Sequence, residues 1–158
     1  MAGNDHIFGG FLLNPKDGYT YLAKMYQGFE GHWKYTFPFS AEGSSGAYIF
    51  LYYLFLGHIG KITGWDLLII FHIARLLSAA ILFVSLWSFY QRIIYHKGNA
   101  DLAFILAIFG SGVGWLVSLT GYYTSDLWVA EAFPFLSSYS NPHFPLALAI
   151  LIWLVIPQ

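Results

Sequence analysis

The chain has 158 residues, of which 58% are apolar, 21% aromatic and 9% charged, with a formal net charge of -1 and no cysteine. Soluble domains carry about 25% charged residues, and a chain this short has too much surface for so few, so an ordinary soluble fold is excluded. The absence of a basic cluster leaves a nucleic acid nothing to bind electrostatically, and the absence of cysteine excludes disulfides and thiolate chemistry.

Residues 1–13 lack a basic segment followed by a long apolar run, so no secretory signal is read there. Met1 to His6 resembles mid-protein loop, and the apolar run from Phe144 stops at Gln158, so both ends predict a piece of a longer protein. Residues 1–64 are expected to form an extracytoplasmic region with short amphipathic helices. Asn14-Pro15 marks a turn, and Asp17 is placed to cap a following helix. Tyr19, Leu22, Ala23 and Tyr26 recur on one helical face, and Gly28 and Gly31 are expected to end that helix. Ala47 to His58 is apolar but reaches only roughly 18 Å as a helix. A bilayer core needs about 30 Å, so this segment is expected to be a juxtamembrane helix lying in the interface. A tilted span extended to Thr63 is the other reading.

Residues 65–158 are expected to hold transmembrane helices over about 65–91, 101–120 and 144–158, with an outer loop at 121–143. Leu67 to Tyr90 is the clearest span, with Asp66 at its start and Arg92, His96 and Lys97 beyond its end. Leu102 to Leu119 is the second, and Phe144 to Ile156 begins a third that looks truncated. Arg92 and Lys97 lie in the short 91–100 loop, whereas the 121–143 loop has no Lys or Arg, which places the 91–100 loop in the cytoplasm. Lys16, Lys24, Lys34 and Lys61 fall on the opposite side, but long loops follow this rule poorly. Residues 1–64 and 121–143 are then both extracytoplasmic. The fold class read from the chain is all-α, a polytopic helical membrane protein.

Several residues could carry chemistry. Asp17 reads either as a helix cap or as a general base at a membrane-surface helix. His72 and Arg75 lie one turn apart, with Ser78, Ala79 and Ser85 continuing their face. An arginine inside a spanning helix costs at least about 2.5–3.5 kcal/mol and needs compensation. It either faces a polar cavity or is held by a neighbouring helix. Gly110 and Gly114 read as a small-residue packing pattern rather than a ligand loop. Asp126, Glu131 and His143 mark the outer loop. Asp126 reads as solvated, while Glu131 and His143 are candidates for binding phosphate or acceptor. Their spacing is a weak metal signal. His6, His32, His58 and His96 read as loop or interface residues with no evident partner.

The order of these features resembles the N-terminal third of the GT-C-fold membrane glycosyltransferases, in particular bacterial ones akin to protein O-mannosyltransferases and aminoarabinose transferases. The residues that carry the resemblance are Asp17 with Tyr21, Gly31-His32-Trp33, the short helix at 47–58, Gly60 to Gly64, and Arg75 within Phe71-His72-Ile73-Ala74-Arg75-Leu76, over about residues 14–97. Where that family often has a second acid directly after the first, this chain has Gly18. Ala41-Glu42-Gly43-Ser44-Ser45-Gly46 stands where the family has a Lys-Pro-rich patch. The resemblance implies transfer of a sugar from a polyprenyl-phosphate carrier. Asp17 would be the base, or one member of an acidic pair assisted by a divalent metal ion. Tyr21, Arg75, Glu131 and His143 would be the substrate-binding residues. The implied partners are a lipid-linked sugar donor and membrane lipids, and the implied location is the bacterial plasma membrane. The alternative is a non-enzymatic polytopic protein, a transporter or scaffold subunit, in which Arg75 and His72 line a pathway or interface and Asp17 is only a cap.

Overall fold

The computed structural model describes residues 10, 11, 13–40, 45–110, 112 and 114–156. The readings on Met1 to His6, on Ala41 to Ser44 and on Gln158 lie outside the described residues. Within them the chain is all helical: α1 (Pro15–Glu30), α2 (Leu51–Thr63), α3 (Leu67–Ile93), α4 (Lys97–Phe109), α5 (Gly114–Val117), α6 (Pro134–Ser140) and α7 (His143–Val155), with 3-10 turns at Ser118–Thr120, Ser125–Leu127 and Ala130–Ala132. An isolated antiparallel bridge joins Tyr35 and Ala47. The chain divides into two compact units, Met1–Ala74 and Arg75–Gln158.

In the first unit, α1 begins earlier than an Asp17 cap requires. Asn14 takes the N-cap position in the left-handed region, at φ 47, which asparagine tolerates. Pro15 follows with its φ already fixed for a helix. Asp17 therefore lies inside the first turn, its N–H donating to the Asn14 carbonyl at 3.0 Å. The helix closes at Gly31, whose φ of 111 only glycine adopts readily. The N–H groups of Gly31 and His32 donate to the Gly28 and Gln27 carbonyls, a Schellman closure. Gly28 thus does not end the helix.

Gly28 instead marks where α1 crosses α2. A Cβ on Gly28 would lie 2.1 Å from the Leu54 carbonyl oxygen, and one on Gly57 would lie 1.9 Å from the Met25 carbonyl oxygen. Both glycines let the two backbones touch. This crossing turns Gly18, Lys24, Met25 and Gly28 inward and leaves Tyr19 and Tyr26 more than half exposed. The face that carries Tyr19, Leu22, Ala23 and Tyr26 is therefore not the one packed on α2, because that contact is made by glycine.

The expected helix at 47–58 is displaced to Leu51–Thr63. Ala47 is held by the bridge to Tyr35, with paired bonds of 2.9 and 3.0 Å, and Phe50 adopts the left-handed conformation, φ 55. Helix can begin only after them. At about 1.5 Å per residue α2 is roughly 20 Å long, short of a bilayer core. Its ammonium at Lys61 donates to the Glu30 carbonyl at 3.1 Å, a cation at the negative end of α1. The unit's core joins Met25, Tyr53, Leu56, Ile70, Phe71 and Ala74.

In the second unit, α3, α4 and α7 share a core of Leu82, Leu86, Ile108 and Ala149, with Phe83, Tyr90 and Phe104 packed on it. The Gln91 amide donates to the Asp101 carboxylate and ties the end of α3 to the start of α4. Along α3, Ser78 and Ser85 are buried while Leu76, Leu77 and Val84 are 58–62% exposed. Two stretches, Leu67–Ile93 and Lys97–Thr120, are long and apolar enough to cross a membrane. The second is not one regular helix: α4 ends at Phe109, with Gly110 as its C-cap, and α5 begins at Gly114. The expected third segment, 144–158, forms the shorter apolar helix α7. The outer loop at 121–143 is itself partly helical, holding two 3-10 turns and α6.

Candidate functional site

The first unit positions Asp17 and Tyr21 one turn apart on α1. Asp17 is exposed, and among the described residues its carboxylate makes no capping bond and no ion pair. Tyr21 stacks face to face on Tyr53, with ring centroids 4.4 Å apart at 10°.

Between these residues and α2 lies a group that the sequence reading passed over. Lys24 is buried, 6% exposed. Its ammonium sits 3.7 Å from the Phe50 ring centroid, 4.7 Å from that of Tyr21 and 6.0 Å from that of Tyr53. Burial lowers its pKa, and the negative charge of Asp17 works the other way. The ring faces favour the charged form as well. Phe50 covers Lys24 from its left-handed backbone position, a conformation rare for a bulky residue. It is held there by an edge-to-face contact with Tyr35 at 5.2 Å. Burial also raises the pKa of the Tyr53 hydroxyl, helped by Tyr21 and Tyr52, so Tyr53 stays neutral. The signal in the sequence was Tyr21 three residues before Lys24, but the facing rings arrive from a segment some distance away in the chain.

A groove of ≈ 780 Å³ runs along Leu22, Ala23, Tyr26 and Phe29 of α1 to Trp65 and Asp66 before α3. This face of α1 is therefore a cavity wall. The Asp66 carboxylate in this groove accepts the Leu68 N–H at 2.8 Å and so caps α3. Nearby, His58 stacks on Trp33 at 4.1 Å, which gives Trp33 of the Gly31-His32-Trp33 stretch a fixed neighbour on α2.

The His72–Arg75 stripe is engaged by protein groups. His72 Nε2 lies 3.1 Å from the Gly10 carbonyl oxygen, within the first unit. In the second unit, Arg75 donates to the Tyr139 carbonyl at 2.6 Å, and its guanidinium lies 5.6 Å from the Tyr139 ring centroid. Its Nε is buried and has no hydrogen-bond partner among the described residues. Ser85 donates to the Ile81 carbonyl and accepts from the Trp153 indole N–H at 2.8 Å. Of the two readings of the stripe, an open polar cavity or a neighbouring helix, the hydrogen bonds of Arg75 to α6 and of Ser85 to α7 agree with the second. Arg75→Leu is expected to leave helix insertion intact and to loosen α6, since the Tyr139 carbonyl loses a charged donor worth about 1.5–3 kcal/mol. Hydrogen exchange over residues 134–140 should speed up by tenfold or more; unchanged exchange would show that Arg75 does not hold α6.

The outer-loop residues part company. Glu131 is exposed on the 3-10 turn Ala130–Ala132. His143 is the first residue of α7, its ring 4.0 Å from that of Phe144. Asp126 corrects the expectation of a solvated carboxylate: it is 8% exposed. The Gly114 N–H donates to its Oδ2 at 2.8 Å, and the Thr124 hydroxyl donates to its Oδ1. The glycines read as helix packing make this possible. A Cβ on Gly114 would lie 2.1 Å from Asp126 Oδ1, and one on Gly112 would lie 2.9 Å from Oδ2. A carboxylate needs donors when buried, and the break after α4 leaves the Gly114 N–H free to supply one.

The Thr124 hydroxyl and then the Gly114 N–H hold the Asp126 carboxyl below its ordinary pKa near 3.8, against the opposing effect of desolvation. A depressed folded-state value means that the carboxylate's contribution is present above the ordinary value and is lost as pH falls through the lower one. Trp115 and Trp128 flank these contacts in sequence, so tryptophan emission should shift as pH is lowered past the ordinary carboxylate range. Asp126→Asn should remove that transition, and an identical transition in the variant would assign it elsewhere.

Among the described residues no group of three or more His, Cys, Asp or Glu is placed to hold a metal ion. The described side chains around Asp17 therefore do not fit the divalent ion that the resemblance leaves open. Comparison with protein-family models, curated proteins and solved structures gives no match to this chain.

Proposed function

We propose that this chain is the N-terminal portion of a polytopic membrane glycosyltransferase of the GT-C type, transferring a sugar from a polyprenyl-phosphate donor at the outer face of a bacterial plasma membrane. The observation that carries the reading is the state of Asp17. Asn14 and Pro15 start α1, so the carboxylate is released from capping and stands exposed in the first turn, with no ion pair among the described residues. A group in that state is available as a general base for an acceptor hydroxyl or amine.

Two further features support it. Along α3, Ser78 and Ser85 are buried while Leu76, Leu77 and Val84 are exposed, as suits a helix with one face toward lipid. An apolar groove of ≈ 780 Å³ lies along α1, a volume within the usual range for ligand sites; its lining suits part of a prenyl chain, and Leu22, Ala23, Tyr26 and Phe29 present it on a helix face turned away from Asp17 and Tyr21.

In this mechanism Asp17 takes the proton of the acceptor as it attacks the anomeric carbon, and the bond from that carbon to the phosphate oxygen breaks. Tyr21, one turn further along α1, binds substrate beside Asp17.

The competing reading, a transporter or scaffold subunit, draws on one observation: the Arg75 guanidinium is already engaged by the carbonyl and ring of Tyr139, as a packing role requires. The full-length protein incubated with labelled polyprenyl-phospho-sugars separates the two. Transfer by the wild type that is lost in Asp17→Asn supports the transferase. No transfer from any donor supports the scaffold.

A further inference from the structure

We infer that the cavity beside Asp126 is a binding site for an organic ammonium group. The cavity holds ≈ 310 Å³ and is lined by Asp126, Ile108, Leu127 and the rings of Phe109, Phe133 and Phe135. The Phe109 and Phe135 rings face each other as a tilted pair, with centroids 5.8 Å apart, and both are more than half exposed. Asp126 is the one acidic or basic side chain in the lining.

The argument turns on charge. Asp126 is more than nine-tenths buried, and among the described residues no Lys, Arg or His forms an ion pair with it. Its hydrogen bonds, from Gly114, Thr124 and its own backbone N–H, favour the ionised form and leave about one of the roughly four acceptor positions of a carboxylate open. A buried charge without a counter-charge is costly, and these donors are all neutral. A bound cation would supply the counter-charge.

The walls decide which cation. A hard metal ion takes six or more oxygen ligands, and the cavity offers one carboxylate among phenyl rings. An ammonium carried on carbon is satisfied by both features together: the carboxylate takes the charge, and the ring faces take the polarised methyl or methylene groups. A neutral sugar would leave the carboxylate uncompensated, and a phosphate would be repelled by it. The volume lies at the small end of ligand sites, which suits a single choline- or ethanolamine-sized group. Capping of α5 by Asp126 explains why the Gly114 N–H points at it, but not why an ionised group should line an aromatic cavity. This inference does not depend on the proposed transfer reaction.

Ammonium groups reach such a site from two sources, a free amine or a lipid headgroup. The test uses the full-length protein in detergent, with tryptophan emission as the readout for choline and ethanolamine. The control is dimethylbutanol, the neutral carbon isostere of choline. Saturable binding of the cations, at least tenfold tighter than the isostere in the wild-type protein, is the expected result. Asp126→Asn should weaken the cations tenfold or more and leave the isostere unchanged. Phe135→Leu should weaken them severalfold. Equal binding of cation and isostere by the wild type would overturn the proposal without recourse to any variant, as would unchanged cation binding by a folded Asp126→Asn protein. Nanodiscs then distinguish the sources. Phosphatidylethanolamine that suppresses binding of soluble ethanolamine, where phosphatidylglycerol does not, assigns the site to a lipid headgroup. Equal binding in both bilayers assigns it to a free amine.

Discussion

Gly57→Ala is expected to disrupt the first unit, with a loss of stability of about 3 kcal/mol or more. Overpacking usually costs about 1–3 kcal/mol, because displaced side chains can adopt other rotamers. At Gly57 that route is closed. The added Cβ would meet the Met25 carbonyl oxygen at 1.9 Å, the Phe29 nitrogen at 2.7 Å and the Gly28 Cα at 2.9 Å, all of them backbone atoms. Relief requires α1 and α2 to move apart as bodies. Their separation would also unstack Tyr21 from Tyr53 and open the rings around Lys24. The burial of Lys24 would then be lost along with the contacts that compensate it. Gly98→Ala is the control: it lies inside α4 with nothing within 4 Å of its would-be Cβ. That substitution should be neutral or stabilising by up to roughly 1 kcal/mol, from helix propensity alone. Thermal unfolding of both variants in detergent decides the matter. A Gly57→Ala protein that melts with the wild type would show that the two helices are not packed through their glycines.

The second large effect concerns Asp17. If the carboxylate is the base, Asp17→Asn should lower sugar transfer by about 10²–10⁴-fold, the usual contribution of a positioned base. It should leave thermal stability nearly unchanged, because the side chain makes no capping bond or ion pair among the described residues. A residue that served as a helix cap would behave in the opposite way: its loss costs about 1 kcal/mol of stability and little activity. Asn14→Ala supplies that comparison, since Asn14 holds the N-cap position in the left-handed region, without a side-chain capping bond, a conformation alanine tolerates less readily. It should destabilise α1 without removing transfer. Transfer rates and melting temperatures of the two variants therefore separate chemistry from folding. Equal transfer by Asp17→Asn and wild type would remove Asp17 from the mechanism.

How legible the chain was depended on what each element rests on. α3 was readable almost to its ends (Leu67 to Tyr90 expected, Leu67–Ile93 found), because an unbroken apolar run specifies a helix by composition alone. α1 was readable as a helix but not in its orientation. Amphipathic periodicity records apolar side chains, and the contact that sets the inward face is made by Gly28 and Gly57, which have none. The start of α2 was misplaced because the bridge between Tyr35 and Ala47 takes residues that local propensity gave to the helix.

The candidate sites follow the same division. Asp17 and Arg75 stood out because charged residues are few in this chain, and Tyr21 through the resemblance. Lys24 and Asp126 did not, since what makes each distinctive lies outside its own neighbourhood.

The sequence by itself determined that the chain is helical and where α3 lies, because an unbroken apolar run acts through summed hydrophobicity along a stretch of backbone. Only the tertiary structure decided which face of α1 turns inward, that Lys24 is enclosed by rings, and that the glycines around Gly114 close on a carboxylate rather than on another helix. Those outcomes depend on contacts between residues distant in the chain. Single atoms settle them, and a distance of one Cβ changes the answer.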